Sequence, residues 1–421
     1  MRFILLLLLL IPILTNAQTT IVAGPMLGHQ TDSTATIWLL VKGIPHAASP
    51  MGEVAKFEMP SSPELELMLT DLKSKGYRKV KHKVQNRMVQ DYKTVRINLK
   101  RTEPVEEEPE KIMRNFSFLT GSCVFPYPYK GMKGKNRDFI FKSMKETPSD
   151  FMIWLGDNTY YLDKEWESYE KMFLKNVKMR RNKYINEFMQ TRPQYAIWDD
   201  HDYAGNNSDS TYALKDTSLQ VFQDFWANPY YGKKKAPGNY SHFQYEDVEF
   251  FLLDARYYRL KKKDEMFGEA QMEWLKKRLK KSDANFKIII AGTQMLPTEV
   301  RGECWQDFKD ERKDFLDFLK DEDITGVIFM SGDRHYTELN FDHRKKHYPL
   351  YEFTCSPLTS LGNPTGRMKN KMRSKRSLYM KQNYGRVSFA GEEHERECTL
   401  EVFDNEGFLV WSYVIPLSDL K

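Results

Sequence analysis

The sequence predicts a small all-β sandwich domain followed by an α/β layered domain. Three observations carry this. Before residue 100 the patterned segments are β-like, with one short helical candidate. Between Thr102 and Glu110 lies an acidic, proline-containing connector. From Phe116 onward short apolar runs alternate with longer amphipathic, charged stretches, the pattern of strands and helices packed in layers.

The chain has 421 residues, enough for two or three domains with a sizeable core. Hydrophobic residues make up 41%, which excludes a disordered chain. Net charge is +6, spread over 64 basic and 58 acidic residues, so no specific nucleic-acid partner is predicted. The densest basic stretch is Arg367 to Lys381, readable as a solvated loop or as a device that steers anions to a nearby cleft.

At the start, Arg2 precedes the apolar run Phe3 to Leu14, and Thr15-Asn16-Ala17 ends in a small residue. That pattern predicts a signal peptide over residues 1–17 and export to a periplasmic or extracellular space. No later stretch is apolar and long enough to cross a bilayer. Cys123, Cys304, Cys355 and Cys398 permit disulfides without requiring them.

Residues 18–102 are assigned to the β domain. Ser33 to Val41 reads as a strand from its β-branched and apolar content, and Lys93 to Leu99 alternates strictly. Lys75 to Gln90 is polar and hairpin-like, and Leu65 to Lys73 is the short helical candidate. Residues 103–115 form the linker, and 116–421 the second domain. Its strand candidates are Phe116–Leu119, Phe151–Leu155, Tyr195–Trp198, Phe250–Leu253, Phe286–Ile290 and Val327–Met330. Amphipathic stretches occupy Glu165 to Gln190, Glu269 to Lys281 and Phe308 to Leu319. Thr399–Phe403 and Phe408–Val414 read as a hairpin around Asn405-Glu406-Gly407. The sequence holds neither an internal repeat nor a Walker-type phosphate loop.

Three of these runs end in ligands for hard cations. Phe151–Leu155 leads into Gly156-Asp157, with Tyr160 three residues on. Tyr195–Trp198 stops at Asp199-Asp200-His201-Asp202, followed by Asn206 and Asn207 as neutral oxygen donors. Val327–Met330 stops at Ser331-Gly332-Asp333-Arg334-His335. Carboxyl ends of strands are where open α/β sheets bind ligands. One carboxylate bridging two ions would hold a binuclear hydrolytic centre, and Asp157 suits that role. Three carboxylates as close as Asp199, Asp200 and Asp202 repel one another if buried without a cation. His201 could act as general acid or stabilise developing charge. Asp333 and His335, two apart, can face one ion, leaving Arg334 for a phosphate or a supporting carboxylate.

Further strand ends supply Cys123, as a ligand or an inert buried thiol, and Asp254 with Arg256 and Arg259. Arg256 reads equally as a substrate contact or as half of a loop-orienting salt bridge, and Gln294 after Gly292-Thr293 as a substrate-facing amide. Glu393-His394-Glu395 resembles a ligand group but lies in uniformly charged surroundings and reads as solvated.

Gly121-Ser122-Cys123, Gly156-Asp157-x-x-Tyr160, Trp198 to Asp202, Leu253-Asp254-x-Arg256 and Ser331 to His335 together resemble the motifs of PhoD-like alkaline phosphatases. These belong to the calcineurin-like metallophosphoesterase superfamily. The resemblance spans roughly residues 116 to 415, and Ala23 to Gly28 is similar to the β domain that precedes many members' catalytic domain. It implies a four-layer α/β/β/α metallophosphoesterase domain and hydrolysis of phosphomonoesters or phosphodiesters by a metal-activated hydroxide. It also implies Fe3+ held by Cys123, Asp157 and Tyr160, with Ca2+ held by residues matching Asp200, Asn206, Asp333 and His335. His201 falls where the superfamily places its transition-state histidine. A phospholipase D-like or nuclease-like diesterase is the alternative of the same chemistry. A non-catalytic surface binding protein is the alternative of another class.

Overall fold

The computed structural model describes residues 19–31, 33–43, 59–84, 88–102, 113–126, 137–299, 302–392 and 395–421. The expected signal segment, most of the linker, and Glu393 and His394 lie outside the described residues. No helix among the described residues is long and apolar enough to cross a membrane.

The N-terminal unit is β1 (Thr20–Gln30), β2 (Thr34–Lys42), α1 (Pro63–Ser74), β3 (Tyr77–Val84) and β4 (Tyr92–Arg101). The described strands form one antiparallel sheet in the order β1-β2-β4-β3. Among the described residues, α1 covers one face of this sheet and the following domain covers the other. On β2, Ala35, Ile37, Leu39 and Val41 pack with Leu65 and Leu72 of α1, whereas Trp38 and Leu40 join the core of the following domain. Period-2 alternation with both sets apolar thus makes β2 a strand buried on both sides. Helix α1 starts where Ser62 accepts from the Leu65 amide and Pro63 takes the first turn, which has no use for its missing N–H.

The second domain runs β5 (Phe116–Gly121), α2 (Ile140–Glu146), β6 (Phe151–Leu155), α3 (Tyr169–Arg180), α4 (Lys183–Met189), β7 (Gln194–Ile197), α5 (Asp200–Tyr203) and α6 (Lys215–Phe225). It continues with β8 (Ser241–Tyr245), β9 (Val248–Leu252), α7 (Glu269–Leu279), β10 (Phe286–Ala291), α8 (Lys309–Asp321), β11 (Val327–Ser331), β12 (Glu338–Asp342) and β13 (Leu350–Thr354). It closes with β14 (Asn383–Ala390), β15 (Glu397–Asp404) and β16 (Leu409–Pro416), the last two forming the expected hairpin. The amphipathic stretch from Glu165 to Gln190 is two helices, because the Asn182 side chain caps a fresh start at Tyr184 and Ile185.

Two six-stranded sheets face each other, ordered β16-β15-β14-β5-β6-β7 and β12-β13-β11-β10-β9-β8. Alternation again decides what lies between them. Phe151, Ile153 and Leu155 of β6 meet Phe286, Ile288 and Ile290 of β10 in the inter-sheet core. Met152 and Trp154 point outward beneath α2, α3, α4 and α6, while Ile289 and Ala291 pack under α7 and α8. The result is the four-layer α/β/β/α arrangement. Strands β5, β6 and β7 are parallel, as are β9, β10, β11 and β13, which brings their carboxyl ends to one rim.

The two domains are joined by specific contacts. Trp38 Nε1 donates to the Asp224 carbonyl at 2.7 Å, and the Arg180 guanidinium lies over the Trp38 ring, 5.7 Å from its centre. Arg96 donates to the carbonyls of Gln223 and Trp226. All four cysteines are buried and free.

Candidate metal centre

Close approach at the rim depends on glycine. A Cβ on Gly292 would lie 2.6 Å from Asp199 Cγ, and one on Gly332 would lie 2.5 Å from the Leu155 carbonyl. Only a residue without a side chain lets these strand ends converge. The chain then turns sharply: Cys123, Asp157, Asp333 and His335 all have positive φ, between 53° and 64°. Such left-handed conformations in non-glycine residues concentrate at functional sites, where surrounding structure enforces them.

Cys123, Asp157 and Tyr160 lie together. Cys123 Sγ lies 3.6 Å from Asp157 Oδ2, and the Tyr160 hydroxyl donates to that same oxygen at 2.8 Å. His335 joins this side of the site, its Nε2 3.1 Å from the Tyr160 hydroxyl, although the sequence grouped it with Asp200 and Asp333. Its Nδ1 is fixed by the Leu361 carbonyl at 2.8 Å, which orients the ring. Donor atoms of Cys123, Asp157 and His335 lie within 4.8 Å of one another, and so do those of Asp157, Asp200 and His201. Asp157 therefore belongs to both groups.

The acidic run divides its labour. Asp199 accepts from Arg256 Nε at 2.5 Å. Asp200 accepts the His201 and Asn207 amides at 2.9 and 2.7 Å and keeps its place in the ligand group. Asp202 accepts the Asp199, Asn158 and Thr159 amides, tying the Asp157 turn to α5. Burial pushes Asp157 well above the usual carboxylate range, with Asp200 and Cys123 adding to it. Burial likewise pushes Cys123 up to about 12 and Asp202 to about 7. Asp200 is buried too, yet Arg256 and His201 beside it bring it down to about 2. A cation among these groups would relieve their repulsion. The donors fit one: a thiol, a phenol, carboxylates and imidazoles, with Asp199 Oδ2 and His201 Nδ1 buried and lacking a hydrogen-bond partner.

His201 is half-buried and its ring stacks on Tyr160 with 4.2 Å between centres. Burial lowers its basicity, against the pull of Asp200 and Asp333 beside it. Asp333 borders the site and pairs with Arg334 at 3.6 Å. Arg334 is 5% exposed and donates to the Tyr336 hydroxyl at 3.2 Å, so it supports Asp333 within the fold. Asn206 is exposed in the turn after α5, and the backbone amide of its neighbour Asn207 makes the contact to Asp200.

The two residues expected to contact substrate, Arg256 and Gln294, are buried. Arg256 is completely buried and engaged by Asp199, Glu303 and Thr293, so its ion pairs run to distant carboxylates and not to Asp254 two positions before it. Asp254 instead accepts the Arg256 and Tyr257 amides and the Trp198 indole. Gln294 is also fully buried and donates to Glu338 and Thr354, each at 2.9 Å. Sequence reasoning missed Ser356, whose hydroxyl donates to Cys123 Sγ at 3.1 Å, and Ser360, which donates to Tyr160 at 3.4 Å. Both follow β13, whose buried Glu352 interrupts the apolar run that would have announced a strand.

The PhoD-like phosphatase family matches the chain over residues 130–406. No curated protein matches its sequence. Among solved structures, one described as the structure of PhoD is similar at a TM-score of 0.64 and 15% identity, covering 93% of this chain and 88% of that one. The purple acid phosphatase PPD1 from yellow lupin (Lupinus luteus) seeds is similar at 0.58 and 13% identity, covering 93% and 74%. At such identities both likenesses are of fold.

Proposed function

This chain belongs to the PhoD-like phosphatase family, and on that premise we propose that it is an exported, metal-dependent phosphoric ester hydrolase. The observation that carries the reading is the double membership of Asp157 in two adjoining groups of ligand atoms. Cys123, Asp157 and Tyr160 with His335 suit Fe3+, for which thiolate and phenolate are apt donors. Asp157 and Asp200 supply oxygens suited to Ca2+, and Asp333 stands near enough to feel the Asp200 charge. When bound, the ions would polarise the phosphate and activate water for in-line attack.

The chain's own residues hold that arrangement. Ser356 and Ser122 orient the Cys123 sulfur, and Ser360 and Asp157 orient the Tyr160 phenol. The amides of His201 and Asn207 fix the Asp200 carboxylate. His201 is placed by its stack on Tyr160 to give a hydrogen bond or a proton to a phosphate oxygen. Arg334 and Arg256 offset the negative charge of Asp333 and Asp199 from behind. Export rests on the apolar run after Arg2 and the small residue Ala17. Relative turnover of an aryl phosphomonoester and an aryl phosphodiester distinguishes the monoesterase from the diesterase form of the activity.

Elemental analysis with a visible spectrum tests the metal assignment. A Tyr160-to-ferric bond gives a charge-transfer band, and Tyr160→Phe should abolish it. A colourless, iron-free and fully active protein would contradict the ferric assignment.

A further inference from the structure

We propose that the loop from Leu361 to Lys381 is an anion-recruiting wall of the metal centre, selecting substrates that carry further phosphates beside the scissile one. This rests on the hydrolase reading above and deepens it to a substrate class. From Arg367 to Lys381 every charged residue is a Lys or an Arg. Arg367, Lys369, Lys375, Arg376 and Lys381 are exposed and have no ion-pair partner among the described residues. Unneutralised cations on one short loop raise the local potential and the capture rate of anions.

Position links this charge to the chemistry. The loop leaves from His335, whose Nδ1 meets the Leu361 carbonyl and whose own carbonyl accepts the Asn363 amide at 2.9 Å. It returns to the same place, since the Met380 carbonyl sits against Gly362, and Thr337 and Tyr379 exchange backbone hydrogen bonds at 2.7 and 2.8 Å. Both ends therefore stand at the rim of the site, as in compact surface loops that carry function.

The middle of the loop is held rigidly. The buried carboxylate of Glu338 takes Arg373, and also Asn370 at 3.1 Å, while Lys371 reaches Glu299 at 2.5 Å. Backbone bonds from Phe341 to Met372 and from Ser374 to Leu339 lay the segment along β12. The backbone that carries the exposed cations is thus already ordered, which lowers the cost of binding. Exposed apolar side chains on the loop are limited to Leu361 and Met368, so a soluble chain of phosphates fits it better than insertion into a lipid surface.

The test uses p-nitrophenyl esters of a mononucleotide and of a trinucleotide, which share the scissile bond and differ in extra phosphates. Wild type should favour the trinucleotide ester roughly tenfold in kcat/KM at low salt and lose the preference near about 0.5 M salt. The exposed-site variant K369Q/K375Q/R376Q should remove the preference with kcat and the mononucleotide ester unchanged. Equilibrium binding of inorganic polyphosphate, weakened in that variant, reads the wall independently of turnover. Equal kcat/KM for the two esters in wild type, an undiminished preference in the variant, or binding only to phosphatidylglycerol vesicles would overturn the proposal. If both esters and an aryl phosphomonoester are all inert while polyphosphate still binds through these cations, the hydrolase reading fails and the wall stands.

Discussion

Tyr160 and His201 illustrate how closely side chains are interlocked at this centre. The phenol is shared by Asp157, His335 and Ser360, and its ring is the platform for the imidazole of His201. Replacing His201 by Gln removes the proposed proton donor while keeping a polar side chain of similar reach. Turnover should fall by roughly 10² or more, as for loss of a general acid or charge stabiliser, with the fold unchanged by circular dichroism. Wild-type kcat in that variant would remove His201 from the reaction. At the same scale, Arg256 shows what residue types alone cannot reveal. Its partners, buried Asp199 and half-buried Glu303, lie 57 and 47 positions away in the chain, and nothing local marks the pairing.

Elements carry the site by ending where they do. Strand ends after Leu155, Ile197 and Ser331 were legible because each is a short apolar run stopped by a polar cluster, buried on both faces. Strands β8, β12, β13 and β14 were not, since polar residues such as Gln244, Glu338, Glu352 and Arg386 break their patterns. Two of these polar residues, Glu338 and Glu352, are buried only because tertiary partners satisfy them. The N-terminal sheet read correctly as β, but its covering by α1 and by the second domain followed from packing. Trp38 is the central contact of that docking, 1% exposed and bonded to Asp224. Trp38→Ala should cost about 3 to 5 kcal/mol in urea unfolding. An unchanged midpoint would mean that this face of β2 does not hold the domains together.

Across the whole molecule, the docked faces give an acid limit. His29, at the same interface, lies 3.3 Å from the Tyr195 hydroxyl, and burial together with His242 lowers it from 6.5 to about 4. A base lowered in the folded state binds fewer protons there than in the unfolded chain. Its contribution is therefore full above pH 6.5 and is lost as pH falls through about 4. His29→Gln should flatten this part of the acid unfolding profile, by about 2 kcal/mol between neutral pH and pH 4. Identical acid midpoints in the two proteins would contradict it.

Whatever holds the domains together, the proposed function rests on one carboxylate shared between two groups of candidate ligand atoms. Metal content and aryl phosphate hydrolysis of Asp157→Asn, measured on one preparation, test that most directly. Loss of metal together with a fall in turnover of roughly 10³ or more is the predicted result. Unchanged metal content and unchanged hydrolysis would contradict the account at its centre.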